Sequence, residues 1–336
     1  MKRIGIVVTT YNTARYVEET LRSVLAQTLG AWSLVVVDDG SQDDSAQIAE
    51  TLLAGEPRAK VVRTENHGVS HARNRGVAEL PDDVQTLAIL DSDDVWEPEA
   101  LQVLAAALDT SASCVAAVGW AAFIGPEGQA VEDPLDPLLT ISARDGWRRP
   151  ADPRTWALER TRLGPGGIRL PLPYPEPTDL ASLLADNRIV SPGVALIRAE
   201  AFRDVGGFRQ EASPREDWDL WIRLAPHGPI QPVDSQVLRY RVRGDNASLN
   251  MTNSNRAQAA IEEFLENWDW LRAHEPELLD SWFDHRQRQA LEDAAHRGRL
   301  IRAGLRRGRF GHAAAQVGPL AGALRRWARL RRRNRG

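Results

Sequence analysis

Three acids stand together at Asp91-Ser92-Asp93-Asp94, directly behind the apolar run at 86–90. Residues two apart on an extended segment face the same side, so Asp91 and Asp93 can project together from a strand end. Two carboxylates that close repel each other. A hard divalent cation such as Mg²⁺ or Mn²⁺ relieves the repulsion and leaves positions for phosphate oxygens. The plainer reading is an acidic loop or a helix cap before Pro98. A second strand-like run, Val35-Val36-Val37, ends in Asp38-Asp39-Gly40-Ser41. Asp39 can accept hydrogen bonds from a base or a ribose, whereas Asp43 and Ser45 read as caps of the following helix. The first apolar run ends in Thr9-Thr10-Tyr11-Asn12, where Tyr11 offers an aromatic face for a nucleobase. Further on, Glu216 and Asp217 open a helical pattern, where acids favourably meet the helix dipole. Trp218 and Trp221 fall on one face of it, free to stack on a sugar ring or to fill the core.

These residues need a scaffold that gathers strand ends. Residues 4–9, 34–37, 59–63, 86–90 and 115–120 read as strands, and Val17, Leu21, Val24 and Leu25, then Leu101, Leu104, Ala105 and Leu108, repeat at helical spacing. That alternation over the first 125 residues predicts a parallel sheet covered by helices. Such sheets bind ligands at the carboxyl ends of their strands. From Gly125 to about Pro177 the pattern gives way to Pro, Gly, Asp and Arg, with turn signals at Leu163-Gly164-Pro165-Gly166-Gly167; loops this long are usually functional. Order is expected again in a helix around 181–184, a strand at 194–197 and an amphipathic helix at 216–224. Beyond Asn255 only helical periodicity remains.

Taken together, Val7-Val8-Thr9-Thr10-Tyr11-Asn12, Val37-Asp38-Asp39-Gly40-Ser41, the stretch from Asn66 to Gly76 containing Arg73, and Leu90-Asp91-Ser92-Asp93-Asp94 resemble family 2 glycosyltransferases in order and spacing. The resemblance continues in Val205-Gly206-Gly207-Phe208 and in Arg215-Glu216-Asp217-Trp218-Asp219-Leu220-Trp221, and covers roughly residues 3–125 and 180–250. It implies an α/β GT-A fold, a Rossmann-like mixed sheet flanked by helices, with a C-terminal helical extension. It implies a donor-binding half at 1–125, an acceptor and catalytic-base half at 126–250 with a long insertion at 126–180, and a basic helical extension at 251–336. Thr9, Tyr11 and Asp39 are then expected to hold nucleobase and ribose, Arg73 to lie near the donor, Asp91 to reach ribose or metal, Asp93 to ligate the metal and Asp217 to act as base.

The expected chemistry is an inverting transfer of one sugar from a UDP-sugar or dTDP-sugar, with Mg²⁺ or Mn²⁺, to a glycan or lipid-linked acceptor. Two departures bear on it. Where many relatives carry a metal-binding histidine, this chain has Arg243. An arginine does not ligate a metal but pairs with diphosphate, so either Asp245 or water completes the metal shell, or the cation matters less. The Q-x-x-R-W pattern of processive synthases is absent, which favours single-sugar transfer. A nucleotidyltransferase, the rival enzyme class, should carry a glycine- and lysine-rich loop near its first strand, and Thr10-Tyr11-Asn12-Thr13 supplies none. A non-catalytic nucleotide-sugar-binding relative is the other alternative. His67, His71, His227, His285 and His296 show no ligand spacing.

Composition sets outer bounds. With 336 residues, 43% hydrophobic and 26% charged, the chain can bury a full core, which excludes disordered and collagen-like classes. A single cysteine, Cys114, excludes a disulfide framework and suits a reducing compartment. No cleavage-site pattern or spanning apolar stretch is evident, so a cytoplasmic location is expected. From Arg286 onward fifteen arginines face two acids, while the whole chain carries −4. This basic tail suggests a peripheral contact with the anionic inner membrane face, and no nucleic-acid partner is expected.

Overall fold

The computed structural model describes residues 3–131, 163–164, 167–168, 180–185, 187, 189–243 and 251–306, with scattered helical positions between 317 and 328. Strands β1 (Arg3–Thr10), β2 (Trp32–Asp38), β3 (Ala59–Arg63) and β4 (Val84–Asp91) alternate with helices α1 (Val17–Leu25), α2 (Ser45–Leu53) and α3 (Val69–Ala78). Then follow β5 (Val95–Trp96), α4 (Ala100–Asp109), β6 (Ala116–Ile124), β7 (Leu163–Gly164), β8 (Gly167–Ile168), α5 (Leu180–Ala185), β9 (Ala195–Arg198), α6 (Ala199–Asp204), α7 (Glu216–Leu224) and β10 (Ile230–Arg241). One eight-stranded sheet runs in the order β3-β2-β1-β4-β9-β6-β10-β5.

The parallel expectation holds for β3, β2, β1 and β4. Every residue of β2, and of β1 after Arg3, is buried, as helices on both faces of a parallel sheet require. Past β4 the sheet is mixed: β9 runs antiparallel to both β4 and β6, β10 returns parallel to β6, and β5 is antiparallel to β10. Three elements escape the sequence pattern. β10 contains Pro232 and polar residues between its apolar ones, β5 has two residues, and α3 reads Val69-Ser70-His71-Ala72-Arg73-Asn74-Arg75-Gly76-Val77-Ala78, with few apolar positions. Tertiary packing holds these segments where periodicity is weak. The turn signals at 163–167 coincide with the antiparallel β7–β8 pair; most of the expected 126–180 insertion lies outside the described residues.

The chain divides into two compact units, Met1–Ile261 and Glu262–Gly336. Helix α8 (Met251–Asn267) spans that boundary. In the second unit, α9 (Asp269–His274) and α10 (Pro276–Arg306) bury Leu271, Leu279, Trp282, Phe283, Ala290 and Ala294. Among the described residues no helix is long and apolar enough to cross a membrane.

Helix α3 matters most to the site because it carries Arg73, and it reaches the sheet by way of Gly76. A Cβ there would collide with the methyl groups of Val7 and Val37. Alanine gains helix propensity at this position but overpacks the helix against two strands. Gly76→Ala is therefore expected to destabilise the chain by about 1–2 kcal/mol net in urea unfolding. Unchanged stability would contradict the close approach.

Candidate active site

The site grows from three adjacent strand ends. The β1 ladder sets Thr10 opposite Asp38 and Thr9 opposite Asp91, so Thr9, the Asp38-Asp39 pair and Asp91 share the carboxyl edge of the sheet. Tyr11, just past that edge, is 48% exposed. The loops between them are zipped by side chains. Asn12, at a positive φ of 53° that asparagine tolerates, donates its N–H to Ser41 Oγ (3.0 Å) and accepts the Gln42 N–H (2.8 Å). Thr10, Thr13 and Ser92 form a hydroxyl chain with 2.7 Å links, which turns Ser92 inward between Asp91 and Asp93. Gly40 (φ 78°) lets this loop pass the backbone of Asn66, which a Cβ would meet at 2.8 Å.

Asp39 has a job that its place in the sequence did not reveal. Its Oδ1 accepts the His67 N–H (2.9 Å) and its Oδ2 the Gly68 N–H (2.8 Å), so the carboxylate fastens the entry to α3. A nucleobase has only the remaining lone pairs of Asp39 to address.

The centre of the site is Arg73. Its Nη2 donates to Asp91 Oδ1 (2.6 Å) and its Nη1 to Glu216 Oε1 (2.7 Å), with the guanidinium 5.1 Å from the centre of the Phe208 ring. The side chain is 4% exposed. Burial alone would weaken its hold on a proton, but Asp91 and Glu216 outweigh that and keep it charged. The guanidinium thus ties the end of β4 to the first turn of α7, where Asp217 follows Glu216. Loss of water, then the neighbouring Glu216, push the Asp217 carboxyl up to about 7; the Trp218 N–H (2.7 Å) and Arg73 restrain it. Two buried oxygens beside these pairs, Glu216 Oε2 and Asp38 Oδ2, lack a hydrogen-bond partner.

Asp93 and Asp94 meet the end of β10. Arg241 reaches the Asp93 carbonyl (2.8 Å) and Glu19 Oε2 (2.6 Å), and its N–H goes to Asp94 Oδ1 (2.8 Å). Arg243 Nε lies 3.0 Å from Asp93 Oδ2, and both guanidinium groups stand over Tyr16. Burial raises the Asp93 carboxyl to about 6, with Asp91 adding to the rise and Arg243 opposing it. Asp94 is raised well above the usual carboxylate range by burial, then by Asp93 and Asp91.

Glu216 and Arg241 are partners that sequence reasoning did not single out. The alternation Arg239-Tyr240-Arg241-Val242-Arg243 carried a signal, because period two puts 239, 241 and 243 on one side of a strand. Gln236-Val237-Leu238-Arg239-Tyr240 also departs from Q-x-x-R-W only in its last residue, and the structure holds Gln236 (2.7 Å) and Arg239 (3.6 Å) on Glu97 Oε1. Trp221 and Trp218 are both buried, the latter donating to the Leu183 carbonyl (2.6 Å), so neither presents a face to solvent. Asp245 lies outside the described residues.

As a cation site, Asp91 and Asp93 supply hard oxygens from one strand end, and each gives one oxygen to a guanidinium. Among the described residues no three His, Cys, Asp or Glu are grouped to hold a metal. The hard oxygens of this pair fit an Mg²⁺ or Mn²⁺ ion.

The family model for glycosyl transferase family 2 matches residues 5–206. The chain belongs to that family. It is 37% identical over 102 residues to the minor teichoic acid biosynthesis protein GgaA of Bacillus subtilis, covering 29% of this chain and 23% of GgaA. Curated relatives of this kind are matched over about a third of their length or less. Its sheet and flanking helices have the GT-A fold. It superposes on Staphylococcus aureus TarS 1–349 in complex with UDP-GlcNAc with a TM-score of 0.58, at 19% identity, over 83% of this chain and 71% of that one. The mannosyltransferase PcManGT of Pyrobaculum calidifontis, in complex with GDP-Man and Mn²⁺, gives a TM-score of 0.52 at 16% identity over 97% and 86%.

Asp94 yields a test in the absence of divalent ions. Its folded-state proton affinity exceeds the unfolded one, so stability is lost as pH rises from the ordinary carboxylate range toward the raised value. Asparagine does not titrate. The melting temperature of Asp94→Asn relative to the parent should climb as pH rises above the ordinary carboxylate range. A difference that stays constant would contradict the buried, protonated carboxyl.

Proposed function

We propose that this chain transfers a single sugar, with inversion, from a UDP-sugar or dTDP-sugar to a hydroxyl of a cell-surface glycan or lipid-linked acceptor. The observation that carries the reading is the Arg73 bridge, which sets a carboxylate of high proton affinity, Asp217, beside the strand ends. TarS bound to UDP-GlcNAc and GgaA of teichoic acid biosynthesis support the donor and acceptor classes. In this reading residues 1–125 form the donor half and 126–250 the acceptor half. Thr9, Tyr11 and Asp39 receive nucleobase and ribose, Arg73 lies near the donor, and Asp91 reaches ribose or metal.

Asp91 and Asp93 would hold Mg²⁺ or Mn²⁺. When bound, such an ion offsets the charge that develops on the departing nucleoside diphosphate. Asp217 takes the proton from the acceptor hydroxyl as its oxygen attacks the anomeric carbon, and displacement from the opposite face inverts the configuration. Tyr240 in place of the tryptophan of Q-x-x-R-W supports a single transfer per encounter. The same reading places the enzyme in the cytoplasm, its arginine-rich tail on anionic membrane. Unchanged liposome binding after deletion of residues 318–336 would end the membrane part.

A panel of nucleotide sugars, read by nucleoside diphosphate release with acceptor present, tests the reading. Asp217→Asn is expected to cut kcat about a hundred- to ten-thousandfold while leaving donor affinity unchanged. A base must be deprotonated to act, so kcat/KM should rise with pH through about 7 and level off above it. Full turnover by Asp217→Asn, or no turnover by the parent with any donor, would refute the catalytic reading; the latter would favour a binding protein.

A further inference from the structure

Three arginines surround the acids of the site, and they are not equivalent. Arg73 is 4% exposed and fixed by two carboxylates. Arg241 is 1% exposed; its guanidinium is spread over the Asp93, Gly125 and Pro126 carbonyls and Glu19. Arg243 is 20% exposed, lies two residues past the end of β10, and has its Nε 3.0 Å from Asp93 Oδ2. Its guanidinium also stands 5.5 Å from the centre of the Tyr16 ring, a contact that orients a cation without consuming its donors.

The partner of Arg243 is the acid that the proposed function assigns to a metal, so two cations address one carboxylate. A guanidinium and a divalent ion on the same oxygens repel. Arg243 stands beside an acid that the nucleotide-sugar reading gives to the donor site, and its planar fork suits phosphate oxygens. We infer that Arg243 is an exchangeable cation of the donor site: it neutralises Asp93 in the empty chain and passes to the donor diphosphate on binding, releasing Asp93 for a metal ion. This inference rests on the nucleotide-sugar reading and deepens it. It makes nucleotide and metal bind cooperatively, because arrival of the diphosphate removes the competitor from Asp93.

The exchange predicts effects of opposite sign from one substitution. In Arg243→Gln, Mn²⁺ alone, followed by electron paramagnetic resonance of the free ion, should bind about tenfold tighter than in the parent. UDP or dTDP in EDTA, followed by calorimetry, should bind about tenfold weaker, the scale of one charge-assisted hydrogen bond. Arg243→Lys keeps a charge without the fork and should fall between parent and Arg243→Gln in both assays. If both affinities fall together Arg243 is structural, and if neither moves it is idle; either result overturns the inference while the nucleotide reading stands. Failure of the parent to bind either nucleotide, with or without Mn²⁺, overturns both.

Discussion

A guanidinium nine-tenths or more removed from water persists only where carboxylates meet it, and at Arg73 two of them do so from elements far apart in the chain. Asp91 ends a central strand, Glu216 opens a helix more than a hundred residues later, and Arg73 itself stands midway along α3. Removing one member of such a cluster strands a buried charge, which costs far more than the net worth of the intact set. The bridge therefore acts as a positional constraint more than as a source of stability. It obliges the strand ends and the helix bearing Asp217 to close on one another, and Asn74, one residue on, secures the same join by exchanging hydrogen bonds with the Phe208 backbone (2.8 and 2.9 Å).

Around that constraint the charges sort by exposure. Asp93, Asp94 and Asp217 all hold protons more tightly than free carboxyls because burial removes water and a neighbouring acid adds to the rise at each, against the pull of nearby arginines. A crowded set of acids is tolerable because three arginines interleave with it, two almost wholly buried and one more open to solvent. The unequal exposure gives the site both rigidity at the β4–α7 join and a cation within reach of a ligand.

Much of this was legible in the sequence because a parallel sheet writes itself in continuous apolar runs, and the acids that matter sit directly behind them. The ends at Thr9, Asp38 and Asp91 fall on one edge for that reason. Asp39 shows the limit of such reasoning. An acid after a strand can face a ligand or fasten the next helix, and only the positions of His67 and Gly68 reveal that this one does the fastening, with its remaining lone pairs left for a ligand. Arg241 was hidden differently, since β10 is interrupted by Pro232 and polar residues and its period-two arginines gain meaning only when the strand is seen to end beside Asp93. Glu216 read as a dipole-compensating acid because its partner is 143 residues away.

A double-mutant cycle between Arg73 and Glu216 tests the constraint most directly, using Arg73→Met, Glu216→Gln and the pair in urea unfolding. The account predicts a loss of about 3 kcal/mol or more for Arg73→Met, with the double variant no less stable than that single one, because Glu216 has been neutralised as its partner is lost. Strictly additive losses would mean that the two residues do not act as a unit and would contradict the account.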